Sequence, residues 1–202
     1  MKNYLVALMA LVALSSPLSA QVSLKTDGQD SAYVQTIVKR SQKIVDGLQL
    51  TDAQKAENVR NIIANRYFLL NDIHGRFDKK TQQDALQAEL YKHHFELASA
   101  LALYLTDEQI DAVKDGMTFG RLKRDYNAQL DMIPSLTDEE KAQVLIWLKE
   151  AREYAMDAAD SKGKHFWFDK YRGRTNNWLS ARGYDLKKER ENWMKRNAER
   201  SK

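Results

Sequence analysis

Leu136-Thr137-Asp138-Glu139-Glu140 decides how this chain folds. Thr137 precedes an apolar run, and Glu140 stands three residues further on. That pattern is a capping box: the threonine oxygen accepts from a free amide of the first helical turn, and the glutamate reaches back to the amide of the cap. Val144, Leu145, Trp147, Leu148, Ala151, Tyr154 and Ala155 then recur at helical spacing, to about Ala159. The signal recurs at Leu50-Thr51-Asp52-Ala53-Gln54, where Thr51 and Gln54 form the expected box, and at Leu105-Thr106-Asp107-Glu108-Gln109. The starts at Leu50, Leu105 and Leu136 are unequally spaced, so they mark helix beginnings rather than units of a solenoid.

Helical periodicity also covers Ser31 to Gly47, Thr51 to Phe77, Thr81 to Leu103 and a short piece after Leu105. It continues over Arg121 to Met132, ending at Pro134, then from Thr137 to Ala159, over residues 164–182 and from Leu186 to Arg200. Gly116 and Gly120 bracket an expected bend. Pro17 and Pro134 are the only prolines, and glycine is sparse. The expected fold is all-α: a single-domain bundle of about six to eight helices over residues 31–202.

Before that domain, Lys2 precedes an apolar run from Tyr4 to Leu14 and the small residues Ser15 to Ala20. This is the pattern of a cleaved secretory signal peptide over residues 1–20, too short to span a bilayer. Residues 21–30 are polar and expected to form a disordered linker. The implied location is periplasmic or secreted, with no stable membrane insertion after cleavage. The chain has no cysteine, which excludes disulfides, thiolate nucleophiles, Cys-ligated metals and lipoprotein processing. No phosphate loop, Gly-x-Ser-x-Gly or His-Glu-x-x-His is present, so the sequence calls for no cofactor and no metal.

Charge is uneven. Residues 161–202 carry 13 basic and 5 acidic side chains, against 18 and 23 over residues 21–160. A basic end on an acidic body points either to an anionic partner or to pairing of the two parts within one chain. The densest stretch runs from His165 to Asp185. At about 100° per residue, Trp167, Phe168, Tyr171, Thr175, Trp178 and Leu179 share one helix face. His165, Asp169, Arg172 and Asn176 follow one border; Lys170, Arg174 and Asn177 follow the other. Gly173 lies opposite the apolar face, where a ligand has room to approach.

Those residue types point to a sugar. Guanidinium forks hold carboxylates, amides pair with hydroxyls and aromatic faces stack on rings. Arg172, Arg174 and Arg182 are the candidate carboxylate binders, Asn176 and Asn177 the hydroxyl binders, and Trp167, Tyr171 or Trp178 the stacking surfaces. The expected partner is an anionic glycan or oligosaccharide. A lyase or hydrolase on uronate-containing glycans is the alternative, with His165, Asp169 and Tyr171 as candidate catalytic residues and Asp115 or Asp157 as a distant second carboxylate. Secretion argues against a nucleic-acid partner, although aromatic and arginine residues interleave. Elsewhere, Glu89 and His93 share a helix face without a third ligand, His93 and His94 point apart, and His74 and Arg76 beside Asp72 read as a helix end.

Two resemblances add to this. Leu50–Gln54 and Leu105–Gln109 look like the LTxxQ motif of the Spy/CpxP periplasmic chaperones, which implies a third reading as a holdase. Over nearly the whole chain after Gln21, the sequence resembles a secreted family of unknown function, domain of unknown function 3826. Lys114 to Gly120 (KDGMTFG), Met132 to Thr137 (MIPSLT), Glu150 to Asp157 (EAREYAMD) and Phe168 to Asp185 carry that likeness. It implies an exported helical protein of polysaccharide-utilisation systems in Bacteroides-like bacteria. It supplies no activity and no catalytic residue.

Overall fold

The computed structural model describes residues 21–200; the expected signal peptide lies outside them. Among the described residues the chain is all-helical. The helices are α1 (Ser31–Asp46), α2 (Ala53–Arg76), α3 (Gln83–His93), α4 (Glu96–Leu101), α5 (Asp107–Met117), α6 (Arg121–Met132), α7 (Asp138–Met156), α8 (Ser161–Ala181) and α9 (Leu186–Arg200). No helix among them is long and apolar enough to cross a membrane.

The caps explain most of the boundaries. Thr106 with Gln109 and Thr137 with Glu140 form complete capping boxes. Asp30 and Asp160 each take an amide of their own first turn. The box expected at Thr51 gives way to its neighbour: Asp52 is the cap and accepts from Lys55 N at 2.9 Å. A carboxylate gains more than a hydroxyl from free amides at the positive end of a helix dipole. One more correction concerns the helix expected from Thr81 to Leu103, which breaks at His94 and Phe95 into α3 and α4. The bend expected between Gly116 and Gly120 is confined to its end. Phe119 (φ 62°) and Gly120 (φ 63°) are left-handed, while Gly116 sits inside α5, where an added Cβ would lie 3.0 Å from Ile44 of α1.

The segment expected to be a disordered linker is instead an ordered arm on α2. Val22 N donates to Asn58 Oδ1 at 2.9 Å, and Asn61 Nδ2 donates to Val22 O at 2.6 Å. Asn65 brackets the next residues, accepting from Lys25 N and donating to Ser23 O. The three asparagines lie on one helix face, so their amides satisfy an extended backbone much as a neighbouring strand would. Val22 and Leu24 then pack on the core.

That core is divided. The larger part joins α1, α2, α4 and α5 around Ile37, Val59, Ile63, Phe68, Leu101, Val113 and Met117. A second part joins α6, α7 and α8 around Leu122, Val144, Leu148, Phe168 and Tyr171. Between them runs a polar seam. Buried Arg152 donates to Asp111 (2.6 Å) and Asp115 (2.7 Å), Lys114 holds Glu153 at 3.0 Å, and buried Arg66 holds Asp157 at 2.6 Å. Above its Arg66 end the surface opens into a groove.

Candidate functional site

The groove has a volume of about 610 Å³, within the range of small-ligand sites. One wall comes from α3 and the α3–α4 break, the other from the C-terminal half of α7 and the start of α8. Aromatic rings line both. On the first wall Tyr91 and Phe95 meet edge to face at 6.0 Å. On the second, Trp167 stacks on Tyr154 at 4.6 Å and 19°, with Phe166 against its edge. Tyr91 (70% exposed), Phe95 (62%), Tyr154 (45%) and Phe166 (59%) are half of the large hydrophobic side chains that the described residues leave exposed. Scattered exposed apolar residues are ordinary, but several rings facing one cavity are a binding feature.

Asp157 organises the floor. It is the C-cap of α7: its amide closes the last turn, while its carboxylate and carbonyl are turned to other partners. Its carboxylate accepts from Arg66 on one oxygen and meets His94 Nδ1 at 2.6 Å on the other. His74 Nε2 meets its main-chain oxygen at 2.7 Å. The α3–α4 break is what brings His94 here: as the C-cap of α3 it leaves the helix path and turns its ring to the groove, edge-on to Phe95. The other ring nitrogen, Nε2, lies 3.7 Å from Glu153. Beneath the floor, Lys164 is buried and donates to Ala155 O and Met156 O, carbonyls in the last turn of α7. Burial pulls its ammonium down to about 8, against a smaller opposing pull from Asp157.

Charge in the groove is unequally satisfied. Glu153 is held by Lys114, Asp157 by Arg66, and Asp160 by the Gly163 amide at 2.7 Å; Glu150 lies 3.5 Å from Arg174. The two lysines of the rim, Lys79 and Lys162, have no ionic or hydrogen-bonding partner among the described residues.

The residues singled out from sequence do not converge on this groove, nor on any other single point. His165 accepts from Arg121 at 2.6 Å, and Arg121 also binds Asp169 and Asp125, so two of the three candidate catalytic groups anchor α8 to α6. Tyr171 is buried in the second core; burial first, and then a hydrogen bond to Glu150, holds its phenol well above the ordinary value. Arg172 is exposed and lies 3.4 Å from Asp169. Arg174 lies over the Trp147 and Tyr171 rings. Asn176 is half-buried with an unbonded Oδ1, and Asn177 faces solvent. Trp178 meets Trp147 edge to face, and Arg182 lies over Trp178 while donating to Glu140 at 2.8 Å. Gly173 borders open space. Of the residues weighed for stacking, only Trp167 lines the groove.

The basic end is paired in part with the rest of the chain. Arg182 and Tyr184 grip buried Glu140, whose carboxyl is held down to about 2, first by the Tyr184 hydroxyl and then by the Thr137 amide. Trp193, Arg196 and Arg200 of α9 all bond to Asp131. The pair Glu89 and His93 is likewise occupied: Glu89 binds Arg76 at 3.1 Å, and His93 binds Glu96 at 2.8 Å. Among the described residues no cluster of three metal-ligating side chains occurs.

His94 and Asp157 do not announce themselves as a pair in the sequence. They are separated by 63 residues, and no local motif joins them. The one available signal was that aromatic residues flank each of them: Tyr91 and Phe95 around His94, and Tyr154 before Asp157.

The model of a family described as "Protein of unknown function (DUF3826)" matches residues 34–84 and 76–198, and the chain belongs to that family. No curated protein matches the chain.

Proposed function

We propose that this member of the DUF3826 family is an exported protein that binds an acidic oligosaccharide in the groove between α3–α4 and the α7–α8 hairpin. The observation that carries the reading is the pair of aromatic walls: Tyr91 and Phe95 face Tyr154, Phe166 and Trp167 across one cavity. Flat rings with polar groups between them suit a sugar, which has apolar C–H faces and a hydroxyl rim. Lys79 and Lys162 add the preference for an acidic sugar, because they are the rim charges without an ionic partner among the described residues. The groove therefore takes the role first expected of Arg172, Arg174 and Arg182. Export is inferred from the apolar run Tyr4 to Leu14 and the small residues that follow it. Setting in a polysaccharide-utilisation system accords with such a ligand. Neither nucleic acid nor membrane enters the reading.

Calorimetry against oligogalacturonates and neutral oligosaccharides of equal length tests it. Acidic oligomers are expected to bind more tightly. Phe95→Ala, a change at an exposed ring, is expected to weaken binding at least about tenfold, or ~1.4 kcal/mol. Lys162→Gln is expected to narrow the preference for acidic over neutral oligomers. Affinity unchanged in both variants overturns the assignment of the ligand to this groove.

A further inference from the structure

The groove floor carries more than binding requires. A hydroxyl-reading site needs amides or hydroxyls; this one has an imidazole held by a buried ion pair. Asp157 Oδ2 sits 2.6 Å from His94 Nδ1, and Asp157 Oδ1 accepts from Arg66, whose side chain is 4% exposed. Arg66 also donates to His93 O at 2.7 Å, so one guanidinium fixes both the carboxylate and the backbone next to His94. With Nδ1–H given to Asp157, the lone pair of the neutral ring is at Nε2. The carboxylates facing this ring are Asp157 and Glu153; Glu153 is itself neutralised by Lys114, and the Phe95 ring meets the imidazole edge to face. This is the geometry of an oriented general base at the bottom of a ligand cavity.

We propose that the groove is catalytic and cleaves uronate-containing glycans by β-elimination, with His94 Nε2 as the base; the proposal rests on the acidic-sugar reading above. The uronate carboxylate lies against Lys79 and Lys162, which withdraw charge and acidify the adjacent C5 hydrogen. His94 Nε2 takes that proton. The C5–H electron pair becomes the C4–C5 double bond, and the C4–O bond breaks with its electrons on the leaving oxygen. The imidazolium returns the proton to that oxygen. No oxidant, reductant or water is consumed, and the products are a new hydroxyl end and an unsaturated uronate. Asp157 is a positioning residue that keeps His94 in one tautomer, and Arg66 fixes Asp157.

Hydrolysis fits the same cavity less well. A glycosidase pairs one protonated carboxylic acid with one free carboxylate. Glu153, Asp157 and Asp160 are each bonded to a cation or an amide, and Glu150 faces Arg174 and the Tyr171 hydroxyl, so no groove carboxylate is free for either role. Elimination needs a base and a cation instead, and both are present.

The test incubates the purified protein with polygalacturonate, alginate and hyaluronate. It follows the ultraviolet absorbance of the conjugated uronate, with calorimetry on the same samples. Absorbance is expected to rise on at least one polymer. His94→Gln is expected to reduce the rate at least about 100-fold while leaving binding in place. His94→Ala is expected to regain part of the rate on addition of free imidazole, which a merely structural histidine would not do. Asp157→Asn is expected to lower kcat with KM held. Binding without absorbance overturns catalysis and leaves the binding reading standing. Absorbance unchanged in His94→Gln overturns the assignment of the base. Absence of binding to all three polymers overturns the reading beneath both.

Discussion

The outward face of α8 and the groove beside its first turn are built from the same kinds of side chain, yet they end in opposite states. On the face, arginine and aromatic residues crowd together, but the principal cations are occupied: Arg172 beside Asp169, Arg174 beside Glu150, and Arg182 on Glu140. In the groove the pattern reverses. Its acids are satisfied from below, and its rings and rim lysines are left facing the cavity. Density of recognition-type residues is therefore a poor locator of a site. What distinguishes a site is functional groups left without internal partners beside groups held rigid by buried ones.

The largest test of that contrast is Arg66→Leu. It leaves Asp157 buried with one bond fewer and no guanidinium, and breaking such a buried pair costs about 3–5 kcal/mol. Arg172→Leu, on the exposed face, is expected to stay within about 0.5 kcal/mol. Chemical denaturation of both variants measures the difference. Equal losses would mean that the seam is no more rigid than the surface, and the contrast would fail.

Next in size is a pH effect at Lys164, on the inner side of α8. Its ordinary value is 10.5 and the folded value about 8, because burial penalises the ammonium. The unfolded chain therefore holds more protons between those values, and stability attributable to Lys164 rises with pH across that window. Below pH 8 the penalty is fully present. Denaturation of the wild-type protein and of Lys164→Met from pH 7 to 10.5 is expected to show the wild type gaining on the variant by about 3 kcal/mol in total. A constant difference across the window would mean that the lysine is solvated.

The same contrast explains what could be read before the structure was known. Helix starts were legible at Thr106 and Thr137, because a capping box is a local device complete within four residues. The apolar face of α8 was legible too: Phe168, Tyr171, Thr175 and Leu179 are buried as their spacing requires. The arm over 21–30 was not, since its order comes from Asn58, Asn61 and Asn65, which carry no helical period of their own beyond a polar stripe. Nor was the groove. Arg66, His94 and Asp157 meet only because α3 breaks at His94 and α7 ends at Asp157, two events on helices far apart in the chain. Charge asymmetry between the two parts was visible, and both of its readings were open. Pairing within the chain occurs at α8 and α9, where Glu140, Glu150 and Asp131 stand within reach of Arg182, Arg174 and Arg200.

The smallest expected effect is also the sharpest test. Arg174 lies 4.8 Å over the Trp147 ring and 5.8 Å over the Tyr171 ring, and its nearest carboxylate, Glu150, is 3.5 Å away. An exposed cation over aromatic rings contributes about 0.5–1 kcal/mol, and an exposed ion pair adds little to that. Arg174→Ala is therefore expected to lower stability by about 1 kcal/mol, with Arg172→Ala near zero. If the face is a structural surface, neither change alters affinity for an acidic oligomer by more than about twofold, well under 1 kcal/mol. If Arg172→Ala alone weakens binding tenfold while stability holds, then its guanidinium reaches ligand rather than Asp169. The face of α8, not the groove, would then be where the sugar binds. The two measurements separate because Arg172 contributes almost nothing to the fold, so any loss of affinity on removing it belongs to the ligand.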